Sequence, residues 1–303
     1  MLEFVNRREI DDKKWDDVVA HSPSETLYPY SWYLDAAAEN WSALIMDDYR
    51  FIMPLVWKRK YGISFLYQPF YTQQLGVFSQ EFVDPATISA MLSHLPKKFI
   101  SGNINFNSGN LVSEQGSFHV GDKKNYRLLL RHSYDQLRHS YSNNTRRNIN
   151  RTMALNDKIL KNVTTDELIR LKKDYDVIKR SGQSYRWMQE LLETILNRGS
   201  GVIYGSVDGN QLEAAAFFGF SRKRAIYLVA VSSERGKQNR SMFKVVDAFI
   251  REHAGSDLIL DFEGSNIPSV ARFFEGFGAD PEIYQNIRFN RLPVPLKRWQ
   301  VHV

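Results

Sequence analysis

The chain has 303 residues, 43% of them hydrophobic and 13% aromatic, which is ample for packed cores and argues against disorder. It contains no cysteine, so disulfides, thiolate catalysis and cysteine-based zinc sites are excluded, and a cytoplasmic setting is the simpler expectation. The net charge of +6 is compatible with phosphate-bearing partners without demanding one.

The length exceeds that of one hydrophobic core and predicts two domains, drawn here as 1–150 and 151–303. The opening "MLEFVNRREIDDKKWDD" has no apolar h-region, so a signal peptide is not expected, and its first residues suggest a strand. No stretch approaches the roughly 20 apolar residues of a membrane span. Residues 31–40, "SWYLDAAAEN", read as a helix capped by Ser31. "SALIMDDYRFIMPLVWKRKYGISFLY" reads as strand, Asp-Asp turn, strand, basic turn, strand. Residues 86–95 suggest a helix, "ISGNINFNSGN" a strand and loop, and "YRLLLRH" at 126–132 another strand. The basic stretch 132–156 predicts one helix leaving the first domain and entering the second. It carries Arg138, Arg146, Arg147 and Arg151, with Arg147 and Arg151 on one face. That face is either solvated or an anion-binding stripe.

The second half repeats this grammar. Residues 187–197 are helical, and "GVIYGSVDGNQLEAAAFFGFSRKRAIYLVAVSS" is strand, Asp-Gly turn, strand, basic turn, strand. With Asp48 laid over Asp208, Met53 to Trp57 fall over Glu213 to Phe217 and the two basic turns nearly coincide. This pattern predicts a structural duplication.

The segment 225–252, "AIYLVAVSSERGKQNRSMFKVVDAFIRE", carries the clearest chemistry. An apolar strand ends near Val231. A loop with Ser233, Arg235, Gly236, Lys237, Arg240 and Ser241 follows, and a helix begins at about 241. Free amides at a helix start, together with loop cations, form a phosphate seat. The plain alternative is a basic strand-to-helix loop with no ligand. Further on, "LDFEGSNIPSVARFFEGFG" runs a strand from Leu258 to Phe262 through Asp261 and Glu263 and the capping-type Ser265 and Asn266 into a helix.

The succession strand, "VSSERGKQNR", helix, strand, "DFEGS", helix, "FFEGFGA" resembles the core of the GNAT acyltransferase superfamily. The resemblance implies an α/β (α+β) fold of two tandem GNAT-like domains, each a mixed sheet flanked by helices. It also implies that the loop after the fourth strand cradles a coenzyme A pyrophosphate. Arg235 matches the first position of the usual loop pattern. Gln238 and Arg240 stand where small residues are usual, and Phe274 stands where many GNAT enzymes carry a proton-donating tyrosine. Tyr284, ten residues on, is a substitute acid or a packed aromatic. "SNNTRRNINRTMALN" and "DFEGS" resemble segments of the Fem peptidyltransferases, with Arg146, Ile149 and Met153 or Ala154 nearest the helix motif. The related BioF-type acyltransferases share the same C-terminal core. Fem enzymes move an amino acid from aminoacyl-tRNA to the amine of a cell-wall precursor. Only residues 164–182 could stand where many of them carry a coiled-coil arm.

The resemblance places the acyl donor between two splaying strands, where Asp261 or Glu263 would take the amine proton as general base. Their plain alternatives are a cap on local amides for Asp261 and a solvated acid for Glu263. Tyr71, Gln73 and Gln74, in "YQPFYTQQLGVFS", line the acceptor groove by resemblance or pack as a strand end. Tyr185 and Arg186 precede a helix and offer a further acceptor contact. No metal-ligand pattern, nucleophile elbow or dinucleotide fingerprint is present, so no metal is expected.

The expectation is an acyl- or aminoacyltransferase acting on an amine, with its site in the second domain and at the junction. The donor is acyl-CoA or aminoacyl-tRNA as co-substrate, with no tightly bound cofactor. The acceptor is a small or peptide amine, a membrane-surface precursor included. A tRNA partner fits this reading, DNA does not. The alternatives are a non-catalytic binding protein on the same scaffold and RNA binding through the basic helix.

Overall fold

The computed structural model describes residues 1–292 except 115, 154, 156, 177–179, 265 and 266. Ala154, Ser265 and Asn266, singled out above, therefore lie outside the described residues. In chain order the elements begin β1 (Leu2–Asn6), α1 (Asp12–His21), α2 (Ser31–Ala37), β2 (Trp41–Met46), β3 (Phe51–Lys60), β4 (Ile63–Leu66), α3 (Pro85–Ser93), β5 (Phe99–Asn105) and β6 (His119–Leu129). They continue with α4 (Tyr134–Ser140), α5 (Asn143–Met153), β7 (Lys158–Leu160), α6 (Thr165–Tyr175), α7 (Gly182–Asn197), β8 (Gly201–Asp208), β9 (Gln211–Phe220) and β10 (Arg224–Ser232). The last are α8 (Glu234–Asn239), α9 (Ser241–His253), β11 (Ile259–Asp261), α10 (Pro268–Gly276) and β12 (Asp280–Asn290).

Two compact units form: Met1–Lys124 with the stretch that begins at Ile283, and Asn125–Glu282. Helix α4 and the start of α5, which lie before residue 151, fall in the second unit. Strand neighbours in the first unit run β1-β2-β3-β4-β5-β12, and in the second β7-β8-β9-β10-β11-β6. The two orders share one pairing pattern. Three antiparallel pairs come first, then a parallel pair (β4 with β5, β10 with β11), then a closing antiparallel pair. Each parallel pair needs a crossover, which α3 supplies in one unit and α8 with α9 in the other. The predicted duplication is thus present strand for strand. The strand closing the first sheet comes from the chain's end, and the strand closing the second from its middle.

The matched hairpins differ at their tips. The first turn uses Asp47, Asp48 and Tyr49 in the left-handed region, while the second is the shorter Gly209–Asn210 link.

Local chemistry explains most helix ends. Asp84 accepts from the Thr87 amide ahead of Pro85 at the start of α3, and Thr164 with Glu167 forms a capping box on α6. Ser31 is not the cap of α2. It is the helix's first residue, and its amide and hydroxyl both donate to Asp16 of α1. The single basic helix expected over 132–156 is two helices, because Tyr141 turns extended and Ser142 restarts the chain as the acceptor for the Thr145 amide. Each unit has its own core. Leu55, Ile88, Leu92, Phe99 and Phe106 anchor the first, and Phe218, Phe249, Phe262, Phe274 and Phe277 the second.

Candidate functional site

The second unit contains a fork in its sheet. Parallel pairing of β10 with β11 covers only Arg224 to Ile226 against Ile259 to Asp261. Strand β10 then continues from Tyr227 to Ser232, paired with β9 alone. A register shift between Tyr227 and Val229 interrupts that pairing at the mouth of the fork. Such bulges redirect side chains and raise local twist. Among the described residues, the backbone edge of β10 beyond Ile226, Val231 included, is therefore without a strand partner on the β11 side.

An ionic clamp holds the closed end of the fork. Arg224 Nη1 donates to Asp261 Oδ2 at 2.7 Å and to Glu282 at 3.3 Å. Arg127 pairs with the other Glu282 oxygen at 3.0 Å. Burial opposes the Arg224 charge, but Asp261 and Glu282 outweigh it and hold the guanidinium above its ordinary value. Asp261 is buried, and its second oxygen accepts the Glu263 amide at 2.9 Å. Glu263 itself is partly exposed and left-handed, with φ 59. That conformation is uncommon for a residue with a side chain, and the Asp261 bond and the Tyr126 amide on its carbonyl hold it there.

Beyond the fork, most of the expected loop is helical. Ser233 caps α8 by accepting the Gly236 amide, and Arg240, at φ 64, links α8 to α9. The segment's polar groups converge on Glu213, which is 1% exposed. Its carboxylate accepts from Arg235 Nε at 3.0 Å, from Asn239 Nδ2 at 3.0 and 3.1 Å, and from Ser241 Oγ at 2.8 Å. Arg235 also pairs with Asp208, and Lys237 with Glu234 at 2.6 Å. Gly236 is needed for closeness to the protein itself, since a Cβ there would overlap the Glu213 carbonyl. The Arg240 side chain is exposed.

The remaining sequence candidates divide between the units. Gln74 is buried in the first unit. It bonds to Gln73 at 2.7 Å and accepts the Ser108 amide at 3.1 Å. The Gln73 carbonyl accepts from Asn105 at 2.8 Å. The Tyr71 carbonyl accepts the Tyr33 hydroxyl at a left-handed position with φ 60. Tyr284 is buried in the same unit. In the second unit Tyr185 is buried in α7 with its hydroxyl unpartnered among the described residues. Its neighbour Arg186 is exposed, as is Arg147 on α5, which donates to Asn144 at 3.1 Å.

Sequence reasoning missed Glu213, Arg224 and Lys172. Glu213 is the extra residue where β8 pairs irregularly with β9, so strict alternation along β9 did not point it at the loop. Arg224 sat inside a basic turn. Lys172 of α6 donates to the Ala230 carbonyl on β10 at 3.3 Å. Its only sequence signal was the spacing to Asp176, one turn on, with which it pairs at 3.6 Å. Among the described residues no helix is long and apolar enough to cross a membrane, and no group of side chains could hold a metal ion.

No family model and no curated protein matches this sequence. Solved structures match its fold. The crystal structure of FemX superposes with TM-score 0.67 at 10% identity, covering 98% of this chain and 99% of that one. A tandem GNAT protein from the clavulanic acid biosynthesis pathway gives TM-score 0.56 at 12% identity over 97% and 99%. L-PGS from Bacillus licheniformis gives 0.55 at 10% identity over 94% of each chain. At such identities the likeness establishes the fold alone: two GNAT-like α/β domains in tandem, of Fem-like type.

Proposed function

We propose that this chain transfers an acyl or aminoacyl group from a CoA thioester or an aminoacyl-tRNA to an amine, at the fork between β10 and β11. The observation that carries this reading is the edge of β10 from Tyr227 to Ser232, which no strand pairs on the β11 side among the described residues, beside a parallel partner that ends at Asp261. Its amides and carbonyls, Val231's included, bond the extended donor and polarise the acyl carbonyl. Glu263 takes the amine proton, and Asp261 positions it through the Glu263 amide. Lys237 and Arg240 offer charge to the donor phosphate. Arg235, Ser233, Gly236 and Ser241 build the segment that presents them. In the same unit, Tyr185, Arg186 and Arg147 are the acceptor contacts of this reading. The fold neighbours support the transferase class, since they include a GNAT-family acetyltransferase and L-PGS.

The test is turnover. Acetyl-, succinyl- and palmitoyl-CoA and alanyl-, glycyl- and seryl-tRNA are each offered with a lysyl peptide and with spermidine, and amide products are read by mass spectrometry. A product that Glu263→Gln lowers by about 10²-fold or more supports the reading. No product from any pair overturns it.

A second reading, a binding protein on the same scaffold, is favoured by Glu213, which engages the loop's polar groups from within. Thermal stabilisation by one of these donors without turnover supports that reading instead.

A further inference from the structure

We propose that Lys172 is a self-acylation site, its side-chain amine taking the acyl group of a thioester or ester donor held at the fork, an inference that rests on the acyl-transfer reading of the fork. Strand pairing fixes where this amine lies. In an antiparallel ladder, successive residues alternate between facing the partner strand and facing away from it. The Ser233 amide donates to the Glu213 carbonyl of β9 at 2.8 Å, so Ser233 faces β9. The register from Val229 to Ser232 against Phe217 to Ala214 is unbroken. Ala230, three residues before Ser233, therefore turns its amide and carbonyl away from β9. The Phe220 amide on the Ser200 carbonyl at 2.7 Å sets the same alternation from the β8 side, since it turns Ala216, opposite Ala230, toward β8. Ala230 thus faces the side where, among the described residues, β11 no longer pairs. Lys172 Nζ, from α6, donates to that same Ala230 carbonyl at 3.3 Å. The amine lies on the open edge of β10, beside the Ala230 amide that the acyl-transfer reading offers to the donor.

Other lysines of this unit are directed elsewhere. Lys173, next on α6, lies over the Tyr185 ring at 5.9 Å, Lys237 pairs with Glu234 at 2.6 Å, and Lys244 with Asp157 at 2.7 Å. Lys172 is also suited to attack. Burial lowers its proton affinity below the ordinary lysine value despite Asp176 at 3.6 Å, so more of it is the neutral, nucleophilic amine than in a solvated lysine. The Nζ lone pair forms a C–N bond to the acyl carbon. The C–S or C–O bond breaks and its electron pair leaves with sulfur or oxygen, and the proton shed by nitrogen reaches that atom through water. The net change is donor plus lysine amine to N-acyl-lysine plus thiol or alcohol. The product amide keeps one N–H for the Ala230 carbonyl and removes a buried charge, while Arg180, at 3.4 Å, still pairs with Asp176.

The test incubates the full chain with each of the six donors named above and no added amine, and follows acylation of each lysine by peptide mass spectrometry. The exposed Lys13 and Lys97 serve as internal references for spontaneous acylation. The expected result, with at least one donor, is acylation of Lys172 about 10-fold or more faster than of either reference, because the fold holds amine and acyl carbon together. The chain unfolded in urea loses that preference, and Lys172→Met loses the fast phase of mass gain in the intact protein. Acylation of Lys172 no faster than the references with every donor, or a preference that survives unfolding, overturns the inference. Parallel reactions with the lysyl peptide and spermidine judge the transferase reading separately. Where they give product and Lys172 shows no preference, only the self-acylation site falls; where neither amine nor Lys172 is acylated, both fall.

Discussion

The Ser241 hydroxyl, on the first residue of α9, donates to the Glu213 carboxylate at 2.8 Å and ties the helix start to an irregular point in β9. Glu213 is also held by Arg235 and Asn239, so one buried charge organises the whole turn between β10 and α9. Ser241→Ala removes one hydrogen bond to a buried carboxylate and is expected to cost about 1.5–3 kcal/mol. Glu213→Ala leaves three donors without their acceptor and is expected to cost about 3–5 kcal/mol. Denaturant titration reads both, with the exposed Glu234→Ala as control. A Glu213→Ala loss no larger than the control's contradicts this account.

The clamp at the closed end of the fork predicts acid sensitivity. Burial pushes the Glu282 carboxyl up, but Arg224 and Arg127 outweigh it and leave the folded value below the ordinary 4.5. The folded state therefore binds the Glu282 proton more weakly than the unfolded chain does. The resulting stability is full above pH 4.5 and is lost as pH falls through the folded value. Glu282→Gln is expected to cost about 1.5–3 kcal/mol at pH 7 by removing a charged acceptor from Arg224, which keeps Asp261, and from the partly exposed Arg127, and the gap to wild type narrows below pH 4.5. A gap that stays constant from pH 7 to pH 3 removes Glu282 from the acid response.

These residues show how far sequence reached. Short apolar runs bounded by turn signals located the β2–β3 and β8–β9 hairpins, because those strands carry their own near-continuous hydrophobic runs. The same logic found α9 and α10. It failed for α1, whose charged first turn hid the buried Trp15, Val18 and Val19. It also failed for α8, where Gly236 and the basic residues read as loop, although Ser233 supplies a cap. Tertiary partners decided the site itself. Arg235 finds Asp208 and Glu213 across the sheet, and Arg224 finds Asp261 on the neighbouring strand. No local spacing encodes such pairs. The fork was legible only through resemblance, since the point where two parallel strands part depends on what packs between them.

Helix α5 packs tightly beside α10. A Cβ on Gly276 would overlap Thr145 Oγ1, and Thr145 is 1% exposed. Gly276→Ala is expected to destabilise by about 1–3 kcal/mol through overpacking. Gly121→Ala, with nothing near its Cβ position, stays within about 0.5 kcal/mol. Thr145→Ala removes the obstructing oxygen, so the double variant should recover part of the Gly276→Ala loss. Strict additivity in the denaturant midpoints contradicts contact between the two.

Lys172 gives the opposite pH signature to Glu282. Its ammonium is buried, and burial lowers its proton affinity from the ordinary 10.5 despite Asp176 at 3.6 Å. The unfolded chain therefore binds this proton more strongly, and stability rises with pH between the folded value and 10.5. Lys172→Met keeps the chain length without the charge. It is expected to be neutral or stabilising at pH 7, because burying the ammonium costs more than its carbonyl bond and the Asp176 pair return, and Arg180 at 3.4 Å still pairs Asp176 in the variant. Above the folded value the wild-type penalty vanishes, so the advantage of Lys172→Met shrinks as pH climbs toward 10.5. Thermal melts at pH 7, 8.5 and 10 read the trend. An advantage that grows with pH shows that the Lys172 charge is favoured by folding, and reverses the sign assigned to it.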